Sequence, residues 1–407
     1  MKARALLAVS CIAVVPVSFA ACAGEGSAEP IAAEASVSLD SGTSDAEVDT
    51  DASTDADAGA CVDCEYFPDT CSGDVFCQTG PFVAGAPGGS LDPRTRINVI
   101  RGRSESDVWA AGALGAVGHF DGTSWKLSDT GVPMSMHALW LRETGEVALS
   151  TMHALYTRGV DTDVDASAGG WSPAQPSTVP FELIVGNPVS LASTWAAPSA
   201  QWMWCAATTE GSMDERKTGL WRMRMSGSGA FEIGIGAPSE LCRYTHPCTQ
   251  MSSIHGRSAN ELWAVGSAGA TIRITDADGD TPSFKGFNAQ TTNALNGVWV
   301  ADNGEAWAVG ARGTIRHYRG DALLWDVVAE VPTSVELNAV WGTSPSDVWA
   351  VGNSGVVLHF DGERWSRVAI GGLGRRRPDL TTVWASGPGH VWIGGQGVLL
   401  TLGGNQP

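Results

Sequence analysis

A phrase built on Trp-Ala-Val-Gly returns about every 43 residues through the second half of this chain. The copies are Trp263-Ala264-Val265-Gly266, Trp307-Ala308-Val309-Gly310, Trp349-Ala350-Val351-Gly352 and Trp392-Ile393-Gly394-Gly395. A unit repeated at such a period cannot bury its apolar face alone, so neighbouring units must stack. Four short β-type runs fit in the best-preserved unit: Leu337 to Trp341, Asp347 to Val351, Val356 to Phe360, and Arg364 to Ile370. Asp361-Gly362 between two of them is a hairpin signal, because Gly takes positive φ without steric cost. Gly352 and Gly355 bracket a second tight turn for the same reason. No helical period competes in these units.

Four antiparallel strands per unit, repeated, predict an all-β chain: a seven-bladed β-propeller of four-stranded blades. The first unit runs from Ile97 to Trp125, and a worn second from Met136 to Trp171. A third, with an insertion, holds Trp195, Trp202, Trp204 and Trp221. The fourth spans Met251 to Asn288, the fifth Ala294 to Glu330, the sixth is the copy above, and the seventh starts at Leu380. The worn second and third units leave six or eight blades open. The seventh lacks a fourth strand, and the segment near Pro81 to Ala86 is the expected donor that closes the ring. All 17 Trp lie between Trp109 and Trp392. Those at repeated positions are expected to pack between blades. Trp171, Trp202 and Trp221 fall outside the repeat and are candidate ligand-stacking rings.

Ahead of the propeller, expected at 81–407, the chain divides into three segments. Residues 1–22 read as an export signal: Lys2 and Arg4, then an apolar run from Leu6 to Phe19 too short to span a bilayer. Cys22 follows that run directly, within Phe19-Ala20-Ala21-Cys22, and is the expected lipidation site; cleavage after Ala20 and free secretion is the competing reading. Residues 23–60 carry ten acids, no Lys or Arg and almost no large apolar side chain, and are expected to form a disordered tether. Residues 61–80 hold Cys61, Cys64, Cys71 and Cys77, expected to form two disulfides whose pairing the sequence leaves open. Cys242 and Cys248 are expected to close a small loop, leaving Cys205 free or paired with one of them.

Charge excludes one class of partner. Between Arg4 and Arg94 there are 15 acids and no base, and the net charge of the whole chain is −19. Nucleic-acid binding needs a basic footprint that this chain lacks. His119, His317 and His359 occupy one repeated position, so they sit on different blades and cannot converge on a metal. Asp161 to Asp165 and Asp276 to Asp280 resemble calcium loops but lack the Gly and the distal Glu. They read better as hairpin turns, and neither a metal nor a cofactor is expected. Arg375-Arg376-Arg377 is the one dense basic spot, on a connection between blades, and a candidate anion-binding site.

The Asp-Val-Trp-Ala-Val-Gly, Gly-x-x-Gly and His-Phe-Asp-Gly-x-x-Trp phrases resemble those of the bacterial neuraminidase-repeat-like and photosystem II assembly-factor-like propellers. The resemblance covers about Ile97 to Gly404. Asp121-Gly122 and Asp361-Gly362 differ from sialidase Asp boxes, where another residue separates Asp from Gly. The likeness therefore implies the scaffold and not a sialidase site. Signal, acidic tether and Cys cluster together resemble surface lipoproteins of large-genome Gram-negative bacteria such as myxobacteria, and by resemblance to bacterial lipoproteins Ala23 in place of Asp after Cys22 implies the outer membrane. The expectation is a monomeric, non-enzymatic envelope lipoprotein that binds a protein or glycan. The alternative is a propeller glycosidase or lyase on extracellular glycans.

Overall fold

A computed structural model describes residues 63–82, 89–143, 145–160, 166–186, 188–209, 218–227 and 229–403. The expected lipidation site Cys22, the tether, Cys61 and the acidic run Asp161 to Asp165 lie outside the described residues. Seven antiparallel sheets form, one per unit, giving a seven-bladed β-propeller. The sixth blade comprises Leu337–Ser344, Asp347–Gly352, Val357–Phe360 and Trp365–Arg367, counted from the axis outward. The worn second unit is a full blade of Ala138–Arg142, Gly145–Leu149, Leu155–Arg158 and Ser172–Ala174.

The recurring Gly at the end of the second strand is a packing requirement. A Cβ at Gly112, Gly266, Gly310 or Gly352 would overlap the backbone carbonyl just before the inner strand of the same blade. The second Gly of each turn answers to the neighbouring blade. Gly115, Gly269 and Gly313 adopt φ of 71°, 73° and 67°. A Cβ on them would strike the carbonyls of Val132, Thr291 and Thr333, on the connection to the next blade. Only Gly meets both the conformation and the approach.

The ring closes earlier in the chain than expected. The seventh blade takes Phe76–Gln78 as its outer strand, antiparallel to Val398–Leu402 with Phe76 opposite Leu402. Ile370–Gly371 pairs with the same strand on its other side, in parallel. Pro81 and Phe82 form no strand, and 83–88 lie outside the described residues. Residues 61–80 thus do not stand apart from a propeller beginning at 81. Phe76 is fully buried and sits edge-on to Trp349, with centroids 5.4 Å apart at 82°.

Two disulfides are formed within described residues, Cys71 to Cys77 and Cys242 to Cys248. Cys64 is also disulfide-bonded. Cys205 is free and buried, and desolvation pushes its thiol pKa up. We expect Phe76→Ala to lower stability by about 3–5 kcal/mol, the usual range for emptying a buried aromatic site. Chemical denaturation of the two chains measures it. An unchanged midpoint would show that the N-terminal strand does not lock the ring.

Candidate functional site

The blades use their polar residues in a repeated internal tie. In blade 1, Asp107 Oδ1 accepts from Trp109 Nε1 at 3.0 Å and faces His119 Nε2 at 2.8 Å. His119 stacks on Trp109, centroids 4.2 Å apart. Blade 6 repeats this with Asp347, Trp349 and His359, at 3.0 and 2.7 Å. Blade 5 uses Glu305 and His317 at 2.9 Å, with His317 stacked 3.7 Å from Trp307. In blade 4, Arg273 takes the His position and bonds Glu261 at 2.5 Å. In blade 3, Trp202 replaces the acid, and Arg222 lies 4.3 Å from its ring centroid. A cation-π contact thus stands where the other blades hold an ion pair. Burial opposes ionisation of Asp107 and Asp347, but the bonds from Arg103 and His119, and from His359 and Thr343, outweigh it. Both carboxyls end below their ordinary value.

These ties correct two site expectations. Trp171, Trp202 and Trp221 are all buried, so none offers a free face for a sugar. Trp171 bonds Ser128 Oγ at 2.8 Å and sits edge-on to Trp109, centroids 5.9 Å apart. Trp221 donates to the Thr218 carbonyl at 2.9 Å. Trp171 and Trp202 are repeat positions that insertions hide in the sequence. The basic spot is also partly spent. Arg377 lies 3.5 Å over the Phe67 ring and 3.5 Å from Asp63, pinning the Cys-rich segment. Arg376 donates to the Gly397 carbonyl at 3.0 Å, and Arg375 stays exposed. The Asp276 to Asp280 turn is a tie between blades: Asp278 accepts from the Trp202 amide at 2.9 Å, and Arg222 donates to the Gly279 carbonyl at 2.7 Å.

The concave site lies on the axis. A β-bulge at the second residue of the inner strand turns Asn98, Ser252, Asn296, Asn338 and Thr381 toward the centre. Several reach across to the next blade. Asn98 donates to the Met136 carbonyl at 2.9 Å, Asn296 to Leu337 at 3.0 Å, Asn338 to Leu380 at 2.7 Å, and Thr381 to Ile97. Three residues further along, about 10 Å at strand rise, a second ring forms. It comprises Arg101, Trp140, Trp195, His255, Trp299, Trp341 and Trp384. The cavity on the axis measures about 100 Å³, and no carboxylate lines it. In sequence His255 has no partner at ligand spacing, and nothing marks Arg101. Superposing the seven units places both in a column that is otherwise Trp.

His255 is neutral: burial, with the nearby Arg101 charge, pushes its pKa down to about 3. His317 is also shifted down, because burial outweighs its bond to Glu305. Among the described residues no group of three His, Cys, Asp or Glu could hold a metal, and no helix is long and apolar enough to cross a membrane.

The sequence matches no protein-family model and no curated protein. Solved structures share the fold. YCF48 bound to D1 peptide superposes with a TM-score of 0.52 at 14% identity, over 79% of this chain and 97% of that one. YCF48 from Cyanidioschyzon merolae gives 0.56 at 14%, over 80% and 97%. Catalytically inactive virginiamycin B lyase from Staphylococcus aureus, with quinupristin, gives 0.56 at 11%, over 76% and 95%. At such identities the likeness establishes the propeller and nothing of its use.

Stability should fall with acid over a defined window. A His with a depressed folded pKa leaves the unfolded chain binding more protons, so stability is fully present above about pH 6.5. It is lost as pH drops toward the folded value, which for His255 is about 3. We expect His255→Gln to flatten the slope of unfolding free energy against pH between those limits. Identical slopes would remove His255 from the account.

Proposed function

We propose that this chain is a non-catalytic recognition propeller that is exported, anchored through Cys22 to the outer membrane, and holds a protein partner at the cell envelope. The observation that supports it most is where the acids lie. The carboxylates at the start of the second strand are committed to Trp, His or Arg within blades 1, 4, 5 and 6. The axial cavity presents amides, hydroxyls, one guanidinium and imidazoles instead. A glycosidase needs two carboxyl groups about 5–10 Å apart across its substrate, and the axis does not offer them. A protein is favoured over a glycan because Trp171, Trp202 and Trp221 are buried. YCF48, a propeller of like fold, has been solved with a D1 peptide bound, which supports this reading.

The contact surface would be the face of the turns that follow the second strands. Leu114 there is 72% exposed in a left-handed conformation, with φ of 57°. Arg312 and Ser354 occupy the same position in other blades. Leu114 is the side chain on this face that we propose for contact with the partner.

The test is capture from solubilised envelope with the immobilised Cys22→Ser chain, protein and glycan being analysed separately. One protein retained in stoichiometric amount, and lost with Leu114→Asp, is the expected result. A glycan retained and released in altered form would overturn the reading in favour of an enzyme. Anchoring is checked apart from this: radiolabelled fatty acid should be incorporated by the native chain and not by Cys22→Ser.

A further inference from the structure

The ring of five Trp, Arg101 and His255 carries an inference that does not depend on the partner. Arg101 lines the axial cavity and pairs with no carboxylate among the described residues. Its Nη1 donates to its own neighbour's carbonyl, Ile100, at 2.8 Å. Its Nη2 reaches only the Thr194 carbonyl across the axis, at 3.5 Å. The Trp341 ring lies under the guanidinium, 5.3 Å to the centroid. Burial draws the pKa down to about 10, so the group stays charged near neutrality. Arg101 is half-buried, and carbonyl dipoles compensate a charge partly withdrawn from water only in part.

His255 supplies a second donor. Its Nδ1 accepts from the Val300 amide at 3.1 Å, which puts the proton on Nε2. That N–H has no acceptor among the described residues. The ring is held edge-on against Trp341, centroids 5.0 Å apart at 90°, and tilted against Trp195 at 5.3 Å. The hydroxyls of Ser252 and Ser253 share the same cavity. Its volume of about 100 Å³ holds a small anion with a water or two, since one water takes roughly 30 Å³.

We propose that Arg101 and His255 form an axial site for a small anion, a carboxylate or an oxyanion, closed on the apolar side by the Trp ring. The guanidinium supplies the charge and a planar donor edge. The neutral imidazole adds a donor without a second charge to bury. The cavity lining has no acid to repel the ligand.

The ring reports on its own occupancy, because Trp341 touches Arg101. Intrinsic Trp fluorescence of the full chain is followed while acetate, or separately phosphate, is added at constant ionic strength. A saturable change is expected with at least one of them. Saturation by acetate alone marks a carboxylate site, saturation by phosphate alone a phosphoryl site, and either supports the proposal. Arg101→Met should abolish saturation, and Arg101→Lys should weaken it about tenfold by losing the fork of donors. A response that never saturates in the native chain overturns the site. So does a curve unchanged by Arg101→Met. Should Arg101→Met not fold, an unshifted midpoint in Arg101→Lys overturns it equally.

Discussion

The ring stands on one contact repeated between blades: the second-strand Trp of one blade meets the outer-strand ring of the next edge to face. Trp109 meets Trp171 at 85°, Trp263 meets Trp325 at 88°, and Trp307 meets Trp365 at 82°. Trp204 meets Phe284 at 66°, a smaller ring in the same place. Edge-to-face geometry brings the positive rim of one ring to the negative face of another, a gain beyond burial alone. The buried indole N–H groups of Trp307, Trp325 and Trp365 have no hydrogen-bond acceptor among the described residues. The small residues follow from the large ones. Ala110, Ala264, Ala308 and Ala350 are all buried beside these Trp, where a larger side chain would push the sheets apart.

Closure obeys the same rule, which is why the N-terminal strand sits where it does. Trp349 of the sixth blade meets its outer-strand ring on the N-terminal strand of the seventh. Phe76 fills that position, opposite Leu402, as Trp365 lies opposite Phe360 in the blade before. The Cys71 to Cys77 disulfide spans the approach to this strand. Asp63 and Phe67 are gripped by Arg377, and Tyr66 lies 4.3 Å under Arg367. A segment with the look of a separate knot is therefore the clasp of the ring. The disulfide is internal to this segment, and the closure itself rests on strand pairing with Val398–Leu402 and Ile370–Gly371.

The blade count, strand order and turn chemistry were legible in the sequence because Trp-Ala-Val-Gly and Asp-Gly act locally. Trp171, Trp202 and the closing strand were not, and each for a physical reason. Insertions shift Trp171 and Trp202 off the period without moving them in space. Phe76–Gln78 is three residues long, and its register comes from Val398–Leu402, more than 300 residues away in the chain. The repeated His residues were legible as structural, yet their acid partners emerge only when the strand pairings Trp109 to His119 and Trp349 to His359 are known. The axial ring is a property of seven units at once, so Arg101 and His255 look unremarkable in any single one.

These constraints leave a division of labour. The Trp, Ala and Gly positions hold the ring, and the acid, Trp and His or Arg ties stiffen each blade from within. That accounts for a fold shared with YCF48 and virginiamycin B lyase at 11–14% identity. Bulges on the inner strand point one side chain per blade at the centre regardless of its identity, as Asn98, Ser252 and Thr381 illustrate. Replacing a Trp by Arg101 or His255 in the second ring therefore changes the chemistry of the cavity without touching the contacts between outer strands. A scaffold whose stability lies at the periphery can vary its axis freely, and the axis is where all seven blades contribute to one small volume.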